Sequence, residues 1–169
     1  MAAKKRIIDP SEYDLSKVIS DKEAIRKINP QRHEMEQLDA VVFEDIERKI
    51  CVGYKDITTD EFWARGHFPG MPVMPGVIMC EAAAQLSAYF TSKFDLLGAE
   101  VVGLGGMEEV RVREPVIPPA RLVLAVQQIR LRRGAVIVCY FQGVVGDRLA
   151  VEGKIKGVPL PSESLRSAN

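Results

Sequence analysis

The sequence predicts an α+β domain in which a curved antiparallel sheet wraps around one long central helix. Three observations predict it. From Val77 to about Ser92 nothing interrupts a helix, and that stretch is apolar nearly all round, the pattern of a helix enclosed by protein. Most of the remaining chain falls into five or six β-rich runs with partial period-two spacing, such as Leu122, Leu124 and Val126, or Val136, Val138 and Tyr140. Short turn sequences, Arg132-Arg133-Gly134 and Gly146-Asp147, join those runs as antiparallel hairpins. One apolar helix can bury its whole circumference only against a sheet that curves round it.

Composition sets the limits. The chain has 169 residues, 47% apolar and 27% charged, enough for one full core, so residues 1–169 read as a single domain with an N-terminal extension over 1–20 and a tail over 159–169. Lys plus Arg and Asp plus Glu number 23 each, which leaves no electrostatic footprint for nucleic acid. Lys4-Lys5-Arg6 is followed only by Ile7-Ile8 before Asp9-Pro10, so no signal peptide is expected. Nowhere do 18 apolar residues run together, and no membrane helix is expected either. These readings point to a cytoplasmic protein. Cys51, Cys80 and Cys139 are widely spaced among apolar neighbours and read as reduced core cysteines. With only two histidines, a metal site has too few good ligands, and neither a metal nor another cofactor is expected.

Taken in order, Asp9–Ile19 reads as loop, anchored by Tyr13, Leu15, Val18 and Ile19. Ser20-Asp21-Lys22-Glu23 fits a capping box with Ser20 as cap, opening a short helix that ends at Asn29-Pro30. Leu38–Phe43 and Lys49–Tyr54 are strands around a charged turn at Glu44–Arg48. Thr58 or Thr59 caps a helical turn through Glu61-Phe62-Trp63, with Trp63 as a core anchor. After the long helix, Asp95–Gly98 is a stop. Gly103–Gly106 lacks dinucleotide-binding spacing and reads as a flexible or bulged strand start. Glu109–Val116, Arg121–Leu131, Ala135–Val145 and Arg148–Val158 complete the strands, and Ser162–Asn169 is a frayed polar end.

The chemistry concentrates in Gly66–Gln85, GHFPGMPVMPGVIMCEAAAQ. Pro69, Gly70, Pro72 and Pro75 forbid regular structure up to Gly76, so His67 sits in a rigid loop that runs into a helix N-terminus. Among Met74–Ala84 the only polar side chain is Glu81. A lone carboxyl on such a helix is paired, protonated or functional, because burying it bare is costly, or else it reaches the surface at a helix edge. Gln85 lies one turn on, on the same face. Cys80, next to Glu81, reads as packing rather than as a nucleophile.

This stretch resembles the active-site signature of the 3-hydroxyacyl-acyl carrier protein dehydratases of type II fatty acid synthesis, small enzymes with the hot-dog fold. The likeness runs over about twenty contiguous residues and extends on both flanks. Asn29–Val41 is similar to the family's PHRYPFLLVD segment, with Gln31 and His33 in place of its His and Tyr. Thr58–Arg65 precedes the His as the family's Thr-x-Asn-Glu stretch does. Val110–Leu122 is similar to VRFRRPVVPGDQL, although Pro119 and Ala120 replace Gly-Asp. The resemblance covers roughly residues 28–158.

The resemblance implies a catalytic pair of His67 and Glu81, meeting across a homodimer interface, with the dimers standing alone or assembling as a trimer of dimers. It implies elimination of water from a (3R)-3-hydroxyacyl thioester carried by acyl carrier protein. His67, mostly neutral near pH 7, suits the base that takes the C2 proton. Glu81, in apolar surroundings that favour a neutral carboxyl, suits the acid. The Gly76 N–H, with Val77 as a second donor, is placed at the helix N-terminus to hold the thioester oxygen. By the same resemblance the Val73 carbonyl orients His67 and Gln85 supports Glu81. Arg65, Lys93, Arg130, Arg132 and Arg133 are candidates for docking an acidic carrier protein. Phe68, Met74, Met79, Tyr89 and Phe90 are candidates for an acyl tunnel, but each is more often plain core and none is assigned to the site. The alternatives are a polyketide or specialised-lipid dehydratase, a hot-dog thioesterase and a non-catalytic acyl-carrier-binding protein.

Overall fold

The computed structural model describes residues 5–161. Seven strands form one antiparallel sheet around a single long helix. The strands are β1 (Ser20–Asp21), β2 (Ala40–Asp45), β3 (Ile50–Ile57), β4 (Val101–Val112), β5 (Ala120–Arg132), β6 (Val136–Val145) and β7 (Arg148–Leu160). The helices are α1 (Lys22–Arg26) and α2 (Gly76–Lys93), and short 3-10 turns occupy Pro10–Glu12 and His33–Met35. The sheet order is β1-β2-β3-β5-β6-β7-β4, which brings β4, first after the helix, to the edge beyond β7.

The period-two pattern works as physics requires. Leu122, Leu124 and Val126 of β5 face α2, where they pack with Met79, Leu86 and Phe90. Their neighbour Val123 faces the other way, into a second cluster with Val42, Val52 and Val144. Strand β3 is buried on both faces for this reason. A Cβ on Gly53 would lie 2.7 Å from the Ala40 carbonyl and 3.1 Å from Leu86, so glycine lets the sheet come close to the helix there.

What covers the outer face is the segment before β1. Ile7, Ile8, Tyr13 and Leu15 pack on it, and the Ile7 N–H donates to Gln142 on β6 at 2.9 Å. Val18 and Ile19, expected as anchors, are instead about half exposed, at 47% and 49%, because the chain turns away there to enter β1. The cap of α1 also differs from expectation. Asp21, not Ser20, accepts the Ala24 N–H at 2.8 Å, since the Ser20 hydroxyl is engaged with the Tyr89 hydroxyl at 2.7 Å.

Two further expectations are corrected. Residues 58–66 form successive turns rather than a capped helical turn, with the Ala64 N–H on the Glu61 carbonyl and the Gly66 N–H on that of Trp63. Strand β4 spans Val101–Val112, so the bulged strand start expected at Gly103–Gly106 is present and continuous with the run expected at Glu109–Val116, which ends four residues early. It absorbs its glycines through bulges at Leu104/Gly106 and Glu108/Arg111. The expected Pro119 departure lies at a cis Pro118–Pro119 bond just before β5. Residues 162–169, expected to fray, lie outside the described residues.

Candidate active site

His67 is fixed from both sides of its loop. Its N–H donates to the Trp63 carbonyl at 2.8 Å, and its carbonyl accepts the Val73 N–H at 2.7 Å. The ring closes a third link, from Nδ1 to the Val73 carbonyl at 2.7 Å. A carbonyl can only accept, so Nδ1 carries the hydrogen and, in the neutral ring, the lone pair is on Nε2. Phe68 stacks on the imidazole with ring centres 4.2 Å apart, and the His67–Phe68 peptide is cis. The Met74 N–H then ties the loop to the Val116 carbonyl at 2.8 Å.

Directly after this loop α2 begins. Its first intrahelical bonds run from the Ile78 and Met79 N–H groups to the Pro75 carbonyl. The N–H groups of Gly76 and Val77 precede them and point out of the helix at the positive end of its dipole. Gly76 is half-buried and Val77 exposed.

Glu81, half-buried, receives a 2.7 Å hydrogen bond on Oε1 from Gln85 Nε2. Gln85 is itself buried and fully committed: Nε2 also donates to the Met35 carbonyl at 2.6 Å, and Oε1 accepts the Gln37 N–H at 2.9 Å. Asn29 Nδ2 donates to the Gln85 carbonyl at 2.9 Å. The sequence pointed to Gln85 but missed these partners. The amide-rich run Asn29, Gln31, Gln37 was the available signal, since carboxamides that are not on the surface must find partners.

Beside Glu81 a cavity of about 60 Å³ opens between α2 and strands β4, β6 and β7. Its helix wall is built of Ala84, Ser87, Ala88 and Thr91. None of the large side chains considered for a tunnel lines it: Met74, Met79, Tyr89 and Phe90 are buried in the core, and Phe68 is 49% exposed beside His67. His67 does not line this cavity, and no hydrogen bond among the described residues links it to Glu81. Burial raises the Cys80 thiol above its ordinary value, which suits packing and not a thiolate nucleophile. Among the described residues no three His, Cys, Asp or Glu side chains gather as a metal site, and no helix is long and apolar enough to cross a membrane.

An imidazole on a rigid loop, the helix N-terminus that follows it in the chain and a clamped carboxyl on that helix are the kinds of group that move protons around a carbonyl compound. The architecture is that of hot-dog proteins. It is shared with the dehydratase heterocomplex ApeI:P from Xenorhabdus doucetiae, at a TM-score of 0.68 and 14% identity over 86% of this chain and 97% of that one. The PaaI protein of E. coli is similar at a TM-score of 0.56 and 13% identity, covering 70% of this chain and 80% of the other. At such identities the likeness is one of fold alone. Sequence carries it further. The FabA-like domain profile matches residues 29–154, and the chain belongs to that family. It is 32% identical over 152 residues, 88% of this chain and 95% of the relative, to the 3-hydroxyacyl-acyl-carrier-protein dehydratase FabZ of Desulfotalea psychrophila. It is 37% identical over 135 residues, 80% of this chain and 93% of the relative, to the FabZ of Moorella thermoacetica.

Proposed function

We propose that the protein is a (3R)-3-hydroxyacyl-acyl-carrier-protein dehydratase, a hydro-lyase forming trans-2-enoyl thioesters in cytoplasmic fatty acid biosynthesis. The observation that carries this reading is the His67 ring, locked on the Val73 carbonyl through Nδ1 with its lone pair on Nε2, on a loop leading into the helix that bears Glu81.

In this reading Nε2 of His67 takes the C2 proton. The Gly76 N–H, with that of Val77, holds the thioester oxygen as negative charge develops on it. The electrons released at C2 form the C2–C3 double bond, and the C3–O bond breaks. The departing hydroxyl takes the proton of Glu81, and water leaves. Because Gln85 Nε2 donates to Glu81 Oε1, the acidic proton belongs on Oε2.

The pair His67 and Glu81 is completed by a second copy of the chain. Two features support this: the cavity at Glu81 has no His67 in its walls, and β4 pairs on one side only. Its outer edge carries exposed apolar side chains, Leu104 at 54% and Val112 at 53%, suited to strand pairing across a homodimer. The substrate's carrier protein is acidic, and exposed Arg65, Arg130 and Arg132 are the cations to receive it. Lys93 and Arg133, which the sequence also suggested, are paired with Glu44 and Asp95 at 2.7 and 2.5 Å.

The test is hydration of crotonyl-acyl carrier protein, the reverse reaction, followed by loss of enoyl thioester absorbance. Wild type turns over, and His67→Ala and Glu81→Gln fall by orders of magnitude while remaining folded. Activity that survives loss of His67, or release of free thiol instead of hydration, overturns the reading.

A further inference from the structure

Gln31 carries a buried oxygen that nothing bonds. Among the described residues four buried side-chain atoms lack a hydrogen-bond partner: Asn29 Oδ1, Gln31 Oε1, Gln37 Oε1 and Trp63 Nε1. Asn29 and Gln37 are anchored through their other amide atom, Nδ2 on the Gln85 carbonyl at 2.9 Å and Nε2 on the Glu34 carbonyl at 2.7 Å. Trp63 lies in the core. Gln31 differs from all three, because it shares a cavity wall with Glu81.

Its place along that cavity is also defined. Gln31 borders a second, smaller space together with Asn29 and Gln85, so it stands at the end where Gln85 holds Glu81. Its backbone is fastened there. Arg32 Nη1 donates to the Asn29 and Gln31 carbonyls at 2.8 and 2.6 Å, on either side of Pro30, whose ring fixes its own φ.

An unpaired buried acceptor costs stability, so folded proteins rarely keep one without a use. The chemistry at Glu81 supplies that use. A hydroxyl has one hydrogen to donate and lone pairs to accept with. In the dehydratase reading Glu81 gives the 3-hydroxyl a proton from Oε2, while its Oε1 is already bonded by Gln85. The hydroxyl's own hydrogen therefore needs a different acceptor.

We propose that Gln31 Oε1 accepts the hydrogen of the substrate's 3-hydroxyl and so positions that oxygen for the proton of Glu81. The inference rests on the dehydratase reading for the identity of the oxygen. As the C3–O bond breaks, its electron pair stays on oxygen and the Glu81 proton joins it. The water so formed has one hydrogen on Gln31 Oε1 and the other on the new Glu81 carboxylate. In the reverse direction the same two acceptors take both hydrogens of a water and turn a lone pair toward C3. Gln31 and Glu81 belong to one copy of the chain, so the leaving-group half of the site needs no residue from a partner.

The test is Gln31→Met, which keeps the shape of the side chain and removes its amide. Kinetics are measured on (3R)-3-hydroxybutyryl- and crotonyl-acyl carrier protein, with thermal unfolding and sedimentation alongside. For dehydration kcat/KM falls about tenfold or more, as when a reacting group loses its positioning. KM rises for the hydroxyacyl substrate and not for the crotonyl one, which has no oxygen at C3. Removing an unpaired acceptor leaves the melting temperature unchanged or raises it by about 2–4 °C, whereas loss of a structural amide would lower it. A second measurement needs no turnover. In His67→Ala, calorimetry finds (3R)-3-hydroxybutyryl-pantetheine bound about fivefold more tightly than butyryl-pantetheine, the net worth of one hydrogen bond, and adding Gln31→Met erases the preference. Unchanged kinetics in Gln31→Met, a KM that rises equally for both substrates, a lower melting temperature or a loss of the oligomer overturns the proposal. A hydroxyl preference that depends on Gln31, in a protein whose wild type turns over neither thioester, upholds the contact and rejects the dehydratase reading instead.

Discussion

Gln85 Nε2 donates to Glu81 Oε1 at 2.7 Å and, with its second hydrogen, to the Met35 carbonyl at 2.6 Å. The amide cannot be turned round. Its oxygen is held by the Gln37 N–H, which has nothing to accept with, so the nitrogen must face the carboxyl. One loop thus sets the orientation of the helix carboxyl through one buried side chain.

Gln85→Leu therefore strikes twice. It leaves the Gln37 N–H and the Met35 carbonyl unpaired, at about 1–3 kcal/mol each, and it frees Glu81 to rotate. The expected outcome is a loss of stability of roughly 2–6 kcal/mol on that basis, read by urea denaturation. Turnover of the remaining folded protein falls about tenfold or more, as expected when a catalytic group loses its positioning. Gln85→Glu, which keeps the shape and loses the donors to Met35 and Glu81, is also impaired.

Gly76→Pro separates the helix from its donor. Proline is favoured at the first position of a helix, where its missing N–H breaks no helical bond, and Pro75 already holds an extended conformation at ψ 135°. A Cβ at residue 76 would lie 2.7 Å from Val112 Cγ2, so the variant is expected to lose some thermal stability as Val112 shifts, while kcat of the folded protein falls by about 100-fold or more, the typical cost of one such donor. An unchanged kcat would assign the thioester oxygen to another group.

Acid should loosen the loop that carries Met35. Arg26 grips the neighbouring Glu36 in a two-point ion pair, Nε to Oε1 at 2.6 Å and Nη2 to Oε2 at 2.8 Å, and this holds the Glu36 carboxyl below its ordinary value. A depressed carboxyl contributes stability that is fully present above the unfolded value of about 4.3. That stability is lost as pH falls through the lower, folded value. Glu36→Gln should lower stability at pH 7 and flatten the fall in stability below about pH 4.3, both measured by denaturant titration across pH.

The three thiols should be silent in the native protein. Cys51, Cys80 and Cys139 are all buried, and burial raises each thiol, that of Cys139 to about 12. At pH 8 a disulfide reagent is expected to find none of them on mixing and all three in denaturant. A fast-reacting native thiol would point to an opening of the helix–sheet packing.

The helix and most strands were legible because their signals are local. Helix α2 was expected from Val77 to about Ser92 and spans Gly76–Lys93, since Pro75 can only start it and nothing within it stops it. Strands β5, β6 and β7 match their expected bounds within two residues at each end, as alternating apolar residues require. The bulged start of β4 at Gly103–Gly106 was legible from its glycines, but the strand's continuity and end were not, because two bulges break the alternation and its exposed edge relaxes the demand for apolar residues. Ser20 was read as a cap because no sequence rule shows that Tyr89, 69 residues on, competes for its hydroxyl. The site divides in the same way. The Val73–His67 bond joins residues six apart and could be expected, whereas the clamp on Gln85 joins residues 48 and 50 apart and could not.

Trp63 is the only tryptophan of the chain and is 5% exposed. Its carbonyl receives the N–H groups of both Gly66 and His67, so the indole is attached to the segment that presents the imidazole. The protein thus carries a built-in optical reporter. Its intrinsic emission samples one place only, and a red shift on titrating denaturant, substrate or partner reads out that loop without any label being introduced.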